Sequence, residues 1–187
     1  MIKTNKNKII NGLMTRRPAT RLLSTIILLL LFVSGMAQAR SENEIKAVYL
    51  YNFIKFITWP QEPTTSDINI CVYGDNPFGA QTERLNTLKA RNRALHIIYP
   101  DKKDRPDCTV VFISPSEEKF AAELLKRINN HPILTVSDIE SFTDKGGIIG
   151  FIKLGNVVKF DINLKKARAS NIQISSKLLE LANQVIQ

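Results

Sequence analysis

The sequence is poor in the residues that most enzyme chemistry needs. Its 187 residues include only two histidines, two cysteines and one tryptophan. It contains no G-x-G-x-x-G turn, no G-K-[ST] and no G-x-S-x-G elbow, so the usual dinucleotide, phosphate and nucleophilic-serine motifs are missing. No CxxC and no Cys/His cluster offers a zinc site. His96 lies inside an apolar stretch, and His131 precedes a proline at the end of a helical stretch. Neither has a partner at triad or metal-ligand spacing, which favours structural histidines over a catalytic base. The expectation is no catalytic constellation, no metal and no cofactor. Acidic residues are absent before Glu42. Nor is there an apolar run of the ~20 residues needed to span a bilayer.

What occupies the acid-free start is informative. Lys3, Lys6, Lys8, Arg16, Arg17 and Arg21 precede the apolar run from Leu22 to Val33, which closes on Ala37-Gln38-Ala39. A basic start, about a dozen apolar residues and a small-x-small end predict a secretory signal peptide over residues 1–39, cut after Ala39. The single domain is then 40–187. The full chain carries 26 basic and 17 acidic residues, and removing the six basic ones leaves 20 against 17, a balance of +3. The formal +9 is therefore no argument for nucleic acid, whose phosphates call for concentrated positive charge. Lys89, Arg91, Arg93, Lys102, Lys103 and Arg105 are interleaved with Asp101 and Asp104 and read as a solvated face. In an exported protein, Cys71 and Cys108 favour a disulfide, which would stabilise the fold by roughly 4 kcal/mol on the chain-entropy model. The alternative is a pair of buried free thiols.

Apolar periodicity predicts a helix over Glu42–Trp59, stopped by Pro60, and greasy on more than one side. A strand over Asp67–Gly74 precedes a helix that Asn76 caps, with Pro77 at its first position, running to Leu88. Further strands are expected at 94–99, 108–113, 133–136, 148–154 and 157–162, the last two joined by Gly155-Asn156 as a tight hairpin. Ser114-Pro115-Ser116-Glu117 and Ser137-Asp138-Ile139-Glu140 have the form of capping boxes, opening helices over 115–129 and to about Thr143. Asn163 caps a short helix over 164–169, and Ser175 or Ser176 caps a final one through Val185. Strands alternating with helices specify a three-layer, Rossmann-like α/β domain with a mainly parallel sheet and a C-terminal antiparallel hairpin.

Ligands of such folds bind at the carboxyl ends of the strands. Asp75, Asn76, Phe78 and Asp138 are the candidate pocket residues there. Asp161, Ile174, Leu178 and Leu179 are the candidate partner-binding residues. Leu178, Leu181, Ala182 and Val185 can supply a buried stripe, which would leave Ile174 and Leu179 partly outside as an apolar patch.

Three stretches together resemble the YfiR-like family of exported proteins. They are Ile45–Pro60 (IKAVYLYNFIKFITWP), Ile70–Gly79 (ICVYGDNPFG), and the discontinuous series Leu134–Asp138, Gly146–Ile149, Phe160–Leu164 and Ile174–Ala182. The resemblance covers nearly all of 42–187 in order. It implies a periplasmic repressor that binds the periplasmic sensor region of an inner-membrane diguanylate cyclase, with an outer-membrane lipoprotein as a second partner. It also implies a redox-linked role for Cys71 and Cys108. The second cysteine pair that some members carry near Gly146-Gly147 is missing. A homodimer is a further expectation, and a periplasmic small-molecule receptor is the alternative function.

Overall fold

A computed structural model of the chain describes residues 41–60, 67–103, 107–129 and 131–187. The leader expected over 1–39 lies outside the described residues. The unit from Arg40 onward opens with helix α1, Glu42–Phe56, whose N-cap Ser41 side chain accepts from the Glu44 amide. Then come β1 (Ile57–Thr58), β2 (Ile68–Tyr73), α2 (Gln81–Asn86), β3 (Lys89–Ala90), β4 (Arg93–Ile98) and β5 (Val110–Ile113). A 3-10 turn (Pro115–Glu117) leads into α3 (Glu118–Arg127), β6 (Leu134–Ser137), β7 (Ile149–Leu154) and β8 (Val157–Asn163). The chain closes with α4 (Leu164–Ala169), β9 (Gln173–Ile174), α5 (Ser176–Leu181) and β10 (Gln184–Ile186).

Eight strands form one sheet in the order β10-β8-β7-β6-β5-β2-β4-β3, parallel except for the β7–β8 and β3–β4 hairpins. β1 and β9 form a separate antiparallel pair. Burying both faces of the central strands requires a layer on each side. On the front, α1 contributes Leu50, Phe53 and Ile54, with Leu85, Ala167 and Leu178 from α2, α4 and α5. On the back, α3 contributes Ala121, Leu124 and Leu125, joined by Ile139 and Phe142 from the segment after β6. The fold is the mainly parallel α/β sheet that the alternation predicts.

Cys71, in β2, and Cys108, ahead of β5, form a disulfide with Cα atoms 5.8 Å apart. Their offset follows from register. Ile70 pairs with Val110, and below it the Thr109 amide donates to the Asn69 carbonyl while Asn69 Nδ2 donates to Asp107 O. That continuation lays Cys108 alongside β2 before its own strand begins.

Several elements depart from expectation, each for a physical reason. α1 ends at Phe56 rather than Trp59 because Ile57 turns extended to pair with Ile174. The helix expected from Asn76 begins only at Gln81. Asn76 does cap a turn, accepting from the amides of Phe78 (2.9 Å) and Gly79 (3.2 Å), but Gly79 at φ +54° breaks the helical path. Neither predicted capping box forms. Ser137 Oγ donates to Ile113 O (2.6 Å) and accepts from the Ile139 amide (2.9 Å), making a turn; Ser141 at φ +53° then prevents a helix. The last helix stops at Leu181, and 184–186 instead becomes a strand beside β8. Asn163 and Ser175 cap as predicted, accepting from the amides of Lys166 and Leu178.

β7 and β8 reach well past their neighbours. β6 pairs with β7 only at Val136↔Ile149 and Ser137↔Gly150, and β10 pairs with β8 only at 161–163. The rungs from Phe151↔Phe160 to Leu154↔Val157 therefore extend beyond the carboxyl edge of the sheet as a two-stranded arm. At ~3.4 Å per residue this is roughly 10–14 Å of projection. A lone hairpin is marginally stable in water. Here α1 supports its front face: Phe53 lies 4.9 Å from Phe160 and 5.7 Å from Phe151, and Tyr49 lies 5.2 Å from Phe160.

Candidate functional site

The carboxyl edge of the sheet gathers the ends of β2, β5 and β6. Gly74, at φ +91°, turns the chain out of β2, and the following residue is clamped by the loop after β5. Ser116 Oγ accepts from the Asp75 amide (3.0 Å), and Ser114 Oγ donates to the Asp75 carbonyl. A Cβ at Gly74 would come within 2.5 Å of Ser116 Oγ and 2.8 Å of Glu117 Cγ, so glycine is required there. Ser114, read as a helix cap, thus joins Ser116 in tying two strand ends together.

A chain of charges joins α1 to this edge. Lys46 is 6 % exposed although it carries an ammonium. Its Nζ donates to Asp138 Oδ2 at 2.6 Å and lies 2.8 Å from Glu42 Oε1, while Lys153 of the arm reaches Glu42 Oε2 at 2.9 Å. Burial pulls the Lys46 pKa down, but hydrogen bonds to Asp138 and Glu42 outweigh it, and the net shift is upward. The Glu42 carboxyl is lowered from 4.5 to about 2, first by its hydrogen bond from Lys46 and then by that from Lys153. The other Asp138 oxygen, Oδ1, is buried without a hydrogen-bond partner among the described residues.

This network makes a prediction. Replacing Lys46 with methionine leaves the partly buried Asp138 without its cation and should cost about 2 kcal/mol. Restoring neutrality with Asp138→Asn in the same chain should recover part of that loss in a urea titration. Because the folded Glu42 pKa is depressed, its contribution is present above pH 4.5 and fades as pH falls toward 2. The Lys46→Met variant should lose stability less steeply across that window.

The structure distributes the candidate pocket residues. Asp75 is exposed at the end of β2, and Asp138 sits past β6 with β5 between those strands. Asn76 is occupied with its own turn, accepting also from Thr82 Oγ1 and donating to Gly79 O. Phe78 is fully buried, edge-on to Phe112 at 5.4 Å, and is a core residue rather than a pocket wall. Among the candidate partner residues, Leu178 is core, while Ile174 and Leu179 are half-buried against the front cluster. The outermost leucine there is Leu181, 64 % exposed, although it was expected in the buried stripe. Asp161 accepts from Asn183 Nδ2 at 2.9 Å.

His96 pairs with Asp67 at 3.0 Å on an exposed edge, and His131 Nδ1 lies 3.2 Å from Asn129 O. Among the described residues no group of three or more His, Cys, Asp or Glu is placed to hold a metal, and no helix is long and apolar enough to cross a membrane. The polar groups traced along this edge tie loops, helix and arm together. Among the described residues no hydrogen bonds join a serine, a histidine and a carboxylate as nucleophile, base and orienter.

Sequence reasoning passed over Lys46, Glu42 and Lys153. Lys46 did leave a signal: it falls on the i, i+4, i+8 stripe with the buried Leu50 and Ile54. A lysine on an apolar stripe calls for a buried carboxylate partner. A family model described as YfiR/HmsC-like matches residues 43–183 of the chain, which takes in α1 from its second residue, Lys46, Asp138 and Lys153 of the charged network, the disulfide, the arm and the C-terminal segment through α5.

Proposed function

The chain belongs to the YfiR/HmsC-like family, and on that premise we propose that it is an exported regulator that represses an inner-membrane diguanylate cyclase by binding the cyclase's periplasmic region. The family match across 43–183 carries this reading. The edge chemistry accords with it, because those side chains brace loops and leave recognition to surfaces. Repression lowers cyclic-di-GMP and with it surface-attached growth. An outer-membrane lipoprotein that sequesters the regulator would relieve the repression.

Deleting the gene in the organism that carries it should raise cyclic-di-GMP and surface-attached growth. The full chain supplied in trans should reverse both, whereas a chain lacking residues 1–39 should not. A deletion that leaves the messenger unchanged would refute the proposal. So would full complementation by the leaderless chain.

A further inference from the structure

The back face of the β7–β8 arm carries two of the exposed large hydrophobic side chains of the described structure, Leu154 and Val157. Strand alternation puts Phe151, Lys153, Val158 and Phe160 on the front, toward α1, and Ile152, Leu154, Val157 and Lys159 on the back. Ile152 is half-buried, while Leu154 and Val157 are 49 % and 56 % exposed. None of the three belongs to either core cluster or packs against one. The back-layer cover ends earlier: Phe142 and Thr143 lie over Gly150, and a Cβ on Gly147 would strike the Phe142 ring at 2.1 Å. Beyond Gly150 the arm's back face carries no member of either core cluster.

Lys159 decides what kind of molecule fits. It sits opposite Ile152, on the same face as the apolar tip, is exposed, and has no charged partner among the described residues. A second copy of the chain fits poorly. A two-fold axis that packs Leu154 and Val157 against their counterparts offers Lys159 no carboxylate, because Ile152, Leu154, Val157 and Lys159 include none. Sliding the copies so that Lys159 meets Asp161 carries the apolar tips past each other. An occupant with apolar side chains around a carboxylate satisfies both features at once.

We propose that this face, Ile152, Leu154, Val157 and Lys159, docks an apolar segment bearing a carboxylate in the cyclase's periplasmic region. The proposal rests on the function proposed above and places the contact on the arm rather than on Asp161–Leu181.

The test uses the full-length exported chain in its own cells, with a photo-crosslinking residue at Leu154 or Val157. Tyr99, 49 % exposed at the far side of the sheet, is the control position. The expected result is an adduct with an inner-membrane diguanylate cyclase from both arm positions and none from Tyr99. Lys159→Glu should reduce its yield about tenfold, with Lys159→Arg retaining it and the melting temperature unchanged. A cyclase adduct from Tyr99 alone overturns the arm assignment and leaves the function standing. So does the absence of an arm adduct in cells where deletion raises cyclic-di-GMP. Arm adducts only with a second copy, or only with another protein, overturn the assigned occupant. If deletion leaves the messenger unchanged and no position captures a cyclase, the functional reading falls and the docking proposal with it.

Discussion

Phe53→Ala should destabilise the protein by about 4 kcal/mol, a fall in melting temperature of roughly 10–15 °C. Phe53 is fully buried, and its ring meets Phe151, Phe160 and Tyr49 within 6.0 Å. Truncating it removes the packed aromatic area and leaves a cavity between α1 and the arm. The arm has no flanking strands to share that loss. Amide exchange should therefore accelerate first across 151–160, ahead of the central strands β5 and β2. An unfolding free energy within about 1 kcal/mol of the parent in a urea titration would mean that the aromatic contacts do not hold the arm. A lowered midpoint with unchanged arm protection would mean that Phe53 supports only the rest of the front core.

The second large effect concerns the Cys71–Cys108 bridge, which spans 37 residues. On the chain-entropy model, losing it should cost about 4 kcal/mol, mostly by freeing the unfolded chain. The bridge joins β2 to the residues leading into β5, and those two strands are paired without it, so the native sheet should persist in the double alanine variant with little change in its circular dichroism. The reduced parent and the Cys71→Ala/Cys108→Ala chain should have nearly the same urea midpoint, both below that of the oxidised parent. Equal midpoints for oxidised and reduced protein would remove the bridge from any account of stability. If the repression proposed above depends on oxidation state, a reduced protein that remains folded at physiological temperature would locate the effect at this bridge rather than in global unfolding.

What could be read ahead of the structure was the information that is local. Asn163 and Ser175 cap helices as their positions suggest, because no long-range partner competes for their side-chain oxygens. Ser114 and Ser137 stand in equally good local patterns, yet their hydroxyls donate to the carbonyls of Asp75 and Ile113 across the sheet. No window of a few residues contains those acceptors. Residues 184–186 continue a helical-looking stretch, but the open edge of β8 offers backbone partners and burial that a solvent-facing turn would not. The Gly155-Asn156 link revealed the hairpin, while its overhang depends on how far β6 runs beside β7. The candidate site had the same limit. Asp138 was legible as a strand-end carboxylate, but its cation comes from 92 positions away.

That distance has a consequence for biogenesis. The first helix finds its partners at the far end of the chain: Lys46 with Asp138, Tyr49 with Val158 across 109 positions, and Glu42 with Lys153 across 111. If the chain is exported as proposed above, its threading through a membrane from the amino terminus presents α1, with Leu50, Phe53 and Ile54 bare, long before the arm that covers them has emerged. Closing such remote contacts is entropically slow, and the exposed intermediate is prone to clump. The interval between the arrival of Phe53 and that of Phe160 is therefore when a holding chaperone on the receiving side has most to protect, and slowing translocation past residue 60 should lower the yield of folded protein more than slowing it past residue 165.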